Sequence, residues 1–192
     1  MSMEKPGKVA RVFFALWPSD AERAALAAWQ PALHQRCGGR IMRAETLHAT
    51  LVFLGDVERQ RLEALQLAAQ EVRAEACRLC FDEARYWGHN HIVYAGASSI
   101  QSQLLHLVSE LERHLSMHRF SFDKRPYKAH VTLLRKAHWT DKPLPDMPRV
   151  TWQVKDFALV QSVPDEQGAN YQVLLRFPLI RHSCSDISQS GN

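Results

Sequence analysis

The chain's pattern predicts an α+β fold of two similar antiparallel-sheet lobes with helices outside, on three observations. Amphipathic helical stretches alternate with short runs rich in aromatic and β-branched residues. Hairpin turns join several of those runs. The tetrapeptide pattern H-x-T-L occurs twice, at His48 and eighty-two residues later at His130, each time on a strand-like segment. One duplication at that spacing is too long and too few to be a solenoid, so it reads as two lobes facing each other.

The elements follow in order. "ARVFFALWP" (Ala10 to Pro18) reads as a buried strand ended by proline. Ser19 and Glu22 form a capping box that opens a helix, which Pro31 kinks and Gly38–Gly39 ends. A short extended "RIMRA" leads to the first motif strand, "LHATLVFLG". Glu58 to Cys77 has the spacing of one long amphipathic helix, with Leu62, Leu65, Ala69, Val72 and Ala76 on one side. "LCFDEARYW" and "HIVYAG" flank Gly88-His89-Asn90 as a hairpin. "IQSQLLHLVSELERHLSMH" is a further helix with Leu104, Leu107, Val108, Leu111 and Leu115 inward. The second motif strand, "AHVTLLRKA", follows, then a proline-rich loop, "KPLPDMP". "VTWQVKDFALVQS" and "YQVLLRFPL" make a closing hairpin around "VPDEQGAN". The expected folded unit is a single bilobed domain over residues 9–182, with 1–8 and 183–192 as flexible ends.

At 192 residues, 46% hydrophobic and 23% charged, the composition is that of an ordinary globular protein. A net charge of +4 is a mild lean toward anionic partners, below that of a protein built to coat nucleic acid. "MSMEKPGKVA" lacks a signal peptide's apolar run and no stretch is long enough to span a bilayer, so the cytoplasm is the expected compartment, with no membrane partner. Cys77 and Cys80 form a C-x-x-C, but no second pair stands at metal spacing, so both read as ordinary half-buried thiols.

The chemistry lies in the repeated motif. Side chains alternate along a strand, so His48, Thr50 and Val52 share one face and Leu47, Ala49, Leu51 and Phe53 the other. His130 and Thr132 likewise lie opposite Val131 and Leu133. Each strand therefore presents an imidazole and a hydroxyl about 7 Å apart, backed by an apolar face that can anchor it. Ten histidines and five threonines in this length give roughly 0.3 chance H-x-T triplets, so two on predicted strands point to a shared site. Two imidazoles facing each other suit in-line displacement at phosphorus: one neutral ring takes a proton from water and the other, protonated, supplies one to the departing oxygen. The threonines can donate to non-bridging oxygens. No metal or other cofactor is required. Spacing alone leaves open which histidine does which.

On these residues the chain resembles the two-histidine phosphoesterase superfamily, in particular the bacterial RNA 2′,3′-cyclic phosphodiesterases first described as 2′-5′ RNA ligases. The resemblance runs from "RVFFALWPSD" through "LHATLVFLGDV" and "RPYKAHVTLLRKA" to the last hairpin. It implies a central cleft lined by the two motif strands, His48 as proton donor and His130 as proton acceptor. It further implies hydrolysis of an RNA or nucleotide 2′,3′-cyclic phosphate to the 2′-phosphomonoester, with ligation by a ribose hydroxyl as the reverse. The arginine that commonly follows the second motif is present as Arg135.

Strict alternation puts Arg135 on the face opposite His130, so it reaches phosphate only if the strand twists or ends. Arg43, Tyr127 and Lys128 are further candidates for RNA contact, and Phe14 reads as core rather than as a base platform. The basic, aromatic run "HRFSFDKRPYK" is a candidate lip for an RNA strand. His89 and His91 have metal-ligand spacing without a third ligand. Nothing suggests an obligate dimer, and a monomer is expected. The rival reading is a module that binds an RNA end or nucleotide phosphate without turning it over, although a binder has no need of two titratable groups.

Overall fold

Two four-stranded sheets and one strand pair carry the fold of the computed structural model, which describes residues 8–165 and 168–181. Lys8 apart, the ends expected to be flexible lie outside the described residues, as do His182 and Cys184. The strands are β1 (Val9–Leu16), β2 (Arg40–Ile41), β3 (Ala49–Glu58), β4 (Cys77–Phe81), β5 (Glu83–Trp87), β6 (Ile92–Gly96), β7 (His130–Arg135), β8 (Val150–Val154), β9 (Asp156–Asp165) and β10 (Gly168–Pro178). The helices are α1 (Asp20–Ala27), α2 (Gln30–Cys37), α3 (Leu62–Gln70) and α4 (Ser102–Met117). The first sheet has the order β10-β9-β1-β3, the second β2-β7-β6-β5, and β4 pairs with β8. All of these pairings are antiparallel, as the α+β prediction requires.

A continuous core joins the sheets. It runs from Val12 and Phe14 of β1 through Leu65 of α3 and Leu107 and Leu111 of α4 to Val131 and Leu133 of β7. The other face of the first sheet carries a smaller cluster of Phe13, Ala15, Ala158 and Val160. Phe14 is fully buried in the main core, as the sequence suggested, while its neighbour Phe13 faces outward onto that second cluster.

Several elements differ from the sequence pattern. The Ser19–Glu22 capping box forms, with the Ser19 amide donating to Glu22 Oε2 at 2.8 Å, but the helix it opens ends at Ala27. Pro31 stands in the first turn of the separate helix α2, where its missing N–H leaves no bond unmade. The long helix expected over Glu58 to Cys77 is α3 alone. Beyond it, Ala74 O accepts from the Ile180 amide and the Ala76 amide donates to Ile180 O, so this backbone is bonded to a distant part of the chain. "LCFDEARYW" is two strands in different sheets, and β8 leaves the closing hairpin to pair with β4. Cys77 and Cys80 are free, half-buried thiols three residues apart on β4.

Candidate active site

Strand alternation explains half of the site, and two β-bulges explain the rest. In β3, Ala15 of β1 pairs with Thr50 and Phe14 with Val52, so Leu51 is an extra residue. In β7, Tyr94 of β6 pairs with Thr132 and Val93 with Leu134, so Leu133 is the extra one. An extra residue flips the facing of everything after it. Hence Leu51 and Val52 are both buried, as are Leu133 and Leu134, and the next residue on each strand, Phe53 or Arg135, rejoins the face of its histidine and threonine. The expected facing of Val52 and Phe53 is thereby reversed, and Arg135 reaches the cleft without any fraying of β7.

A cavity of about 590 Å³ opens between the sheets and is lined by His48, Thr50, His130, Thr132 and Arg135 together with Arg40 and Arg43. The two imidazoles are held alike. His48 Nδ1 is 2.7 Å from Thr46 O and His130 Nδ1 is 2.8 Å from Lys128 O, in each case the carbonyl two residues back. A carbonyl only accepts, so Nδ1 carries the proton, and in the neutral ring Nε2 is free to exchange one. Aromatic rings confine both. His48 stacks on Trp17 at 5.6 Å, with Phe13 and Tyr171 each 4.9 Å away. His130 meets Trp87 at 4.7 Å and Tyr94 at 5.6 Å.

This packing sets the electrostatics. Desolvation pulls the His48 pKa down to about 4; the Thr46 carbonyl opposes the shift, and the charge of Arg135, with that of His130 when it is protonated, adds to it. His130 is lowered too, chiefly by burial and against the pull of Lys128 O. Both rings are therefore mainly neutral at pH 7.

Residues 16–94 and 96–171 match the family model described as LigT like Phosphoesterase, well over half of the chain. The chain belongs to the LigT-like phosphoesterases. Among its relatives is the RNA 2′,3′-cyclic phosphodiesterase of Escherichia coli (strain K12), 28% identical over 169 residues that cover 88% of this chain and 96% of that protein. The protein of the same name from Thermus thermophilus is 30% identical over 179 residues, covering 88% and 90%. Solved E. coli LigT in its apo form superposes with a TM-score of 0.81 at 27% identity, covering 90% of this chain and 99% of that one. E. coli LigT complexed with 3′-AMP gives 0.81 at 28% identity, covering 89% and 98%.

The other sequence candidates divide. Arg43 lines this cleft and donates to Ala169 O of β10 at 3.0 Å. Tyr127 does not line it: the ring packs against the core and burial pushes its phenol well above the usual range. Lys128 serves through its carbonyl, while its side chain lines a second cavity with Trp87 and Trp139. Before His130, nothing in the run from His118 lines the cleft, and Arg125 within it is paired with Asp123. His91 meets the Tyr86 hydroxyl at 3.0 Å, and no group of three His, Cys, Asp or Glu among the described residues is placed to hold a metal.

Sequence reasoning missed Trp17, Phe53, Trp87, Tyr94 and Tyr171. It also missed Gln30. This buried α2 side chain donates to Met42 O at 2.8 Å and to Leu133 O at 3.1 Å, holding the carbonyl of the residue whose bulge turns Arg135 into the cleft. A polar residue on the apolar side of a helix was its one signal in the sequence.

Proposed function

We propose that this chain hydrolyses RNA 2′,3′-cyclic phosphodiester ends to 2′-phosphomonoesters, with His48 and His130 as the acid–base pair. The observation that carries the reading is that two imidazoles, pinned in the same way through Nδ1, line one cleft with Thr50, Thr132 and Arg135. Water attacks phosphorus and gives a proton to His130 Nε2, while the P–O3′ bond breaks and O3′ takes a proton from His48 Nε2. The Thr50 and Thr132 hydroxyls and the Arg135 guanidinium stabilise the charge that builds on the non-bridging oxygens. A pKa drawn down to about 4 makes protonated His48 a strong donor once the anionic substrate has brought the proton in. Arg43 contacts the RNA beyond the phosphate. Attack by a ribose hydroxyl in place of water is the same chemistry run toward 2′-5′ ligation.

The names of the relatives support this reading over a silent phosphate-binding module. The continuous core supports residues 9–182 working as one bilobed unit, here taken to be a cytoplasmic monomer. No helix among the described residues is long and apolar enough to cross a membrane.

The test is the product. Adenosine 2′,3′-cyclic phosphate should yield adenosine 2′-phosphate on chromatography, with activity persisting in chelator. His48→Ala and His130→Ala should each lose about 10²–10⁴-fold in rate. A 3′-phosphate product, or near-full activity in both variants, would overturn the scheme.

A further inference from the structure

Trp87 links His130 to the second cavity. Its ring meets the imidazole at 4.7 Å, and it also lines this space of about 460 Å³, in which opening a cyclic phosphate with water employs nothing. Strand β5 is an outer strand of the second sheet. Ala84 and Tyr86 reach the cavity from one of its faces and Arg85 and Trp87 from the other, so the space follows that edge. Lys128, just before β7, and Trp139 and Lys142, after it, extend the lining.

The lining is made of flat rings and cations. Tyr86 and Trp139 lie 5.3 Å apart, and Trp87 packs on Tyr94 at 4.3 Å. Trp139 is 68% exposed beside the half-buried rings of Tyr86 and Trp87, so the apolar surface is a cluster and not one stray side chain. No Asp or Glu side chain lines the cavity. Arg85 is paired with Glu83 at 2.7 Å, which leaves Lys128 and Lys142 as the exposed cations. Stacking rings with cations beside them suit an anionic chain of flat groups, which is single-stranded nucleic acid.

We propose that this cavity seats the acceptor strand of a ligation, a single-stranded RNA with a free 5′ hydroxyl whose leading nucleotide passes over Trp87 and whose bases stack on Trp139. This rests on the phosphodiesterase reading and on the part His130 plays in it. In-line displacement says which strand lies here. O3′ leaves toward His48, so the attacking oxygen enters opposite, beside His130, and Trp87 is the ring on that side. The 5′ oxygen forms the new bond to phosphorus and gives its proton to His130 Nε2. The P–O3′ bond breaks and O3′ takes a proton from His48 Nε2, leaving a 2′-5′ phosphodiester and a free 3′ hydroxyl. Water needs no seat to attack. A 5′ hydroxyl competes with it only when its strand is held nearby, which raises its effective concentration at the phosphorus.

The experiment pairs a 5′-phosphorylated oligoribonucleotide ending in a 2′,3′-cyclic phosphate with a labelled oligoribonucleotide bearing a 5′ hydroxyl. The ratio of ligated to hydrolysed ends is followed against acceptor concentration in the wild type and in the double variant Trp139→Ala, Lys142→Ala. Both side chains are exposed and remote from the reacting atoms, so hydrolysis of adenosine 2′,3′-cyclic phosphate should be unchanged. The wild-type ratio should rise and saturate, and the variant should need roughly tenfold more acceptor for the same ratio. Equal ratios in both proteins, or no ligated product from the wild type, overturn the acceptor seat and leave the phosphodiesterase reading standing. Slower hydrolysis of the oligonucleotide donor at an unchanged ratio also overturns it, since the cavity then holds the donor's own strand. If the wild type opens no cyclic phosphate, the phosphodiesterase reading falls, and fluorescence anisotropy with the labelled 5′-hydroxyl strand decides the seat. Weaker binding by the variant supports it; equal binding overturns it.

Discussion

Substrate binding should take a proton from solvent. With a pKa of about 4 before substrate binds, His48 carries its proton in roughly one molecule in a thousand at pH 7, and loading it there costs about 4 kcal/mol. A phosphodiester anion about 4 Å from the imidazolium returns about 4 kcal/mol at the effective dielectric of a partly buried site. The two figures match, so His48 in the complex should titrate near pH 7. The perturbation is His130→Ala, which holds the cyclic phosphate without opening it and leaves the rings around His48 in place. Calorimetry with adenosine 2′,3′-cyclic phosphate, whose phosphodiester does not itself titrate in this range, would be run near pH 5.5 in buffers of different ionisation enthalpy. Close to one proton should be taken up per ligand bound. Affinity should fall about tenfold per pH unit from about pH 5 to 7, and replacing His48 by Asn in the same background should abolish both effects. Binding that is independent of pH and buffer would refute the claim that the ligand charges this histidine.

Other outcomes follow from the same geometry. Because the native His48 pKa lies below its unfolded value near 6.5, the native state binds fewer protons between the two; stability present above pH 6.5 should fall as pH drops toward 4, by up to about 3 kcal/mol. Urea titrations at pH 7 and pH 4 would read it, and His48→Asn should flatten the difference. Gln30→Leu removes the side-chain amide from the Met42 carbonyl and from the Leu133 carbonyl, which keeps its bond from the Met42 amide; this should cost about 1–3 kcal/mol in urea unfolding and lower kcat more than an equally destabilising change remote from β7. Gly39 has φ +85°, and an added Cβ would stand 2.6 Å from Arg135 O. Gly39→Ala should therefore lower Tm by several degrees and weaken phosphate binding together, since the strain falls on the turn that ends β7. Replacing Thr50 or Thr132 by Val should lower kcat/KM by about tenfold to a hundredfold with little change in Tm, each being half-buried and on the cleft face.

Much of the site was legible because its signal is local. An H-x-T on a strand puts imidazole and hydroxyl on one face by backbone geometry alone, and the apolar residues between them, Ala49 and Val131, are buried as that geometry requires. The Ser19–Glu22 cap was legible for the same reason. Arg135 was legible as a residue but not as a direction, because a bulge depends on how two strands align and leaves no mark in either one. The aromatic rings about His48 come from β1, β10 and the turn after β1, positions far apart in sequence that only sheet order brings together. The helix that ended at Gln70 instead of Cys77 failed likewise: its apolar spacing continues, but the backbone beyond it is bonded to Ile180.

The sequence by itself determined the two chemical units, the alternation of helices and strands and the antiparallel character of the sheets, because each follows from period, capping and turn chemistry within a few residues. Only the tertiary structure decided that the units share one cleft, that Phe53 and Arg135 turn into it, and that His48 is neutral there. Facing after a bulge and the loss of water around an imidazole are set by neighbours from distant parts of the chain, and those neighbours exist only once the sheets have closed.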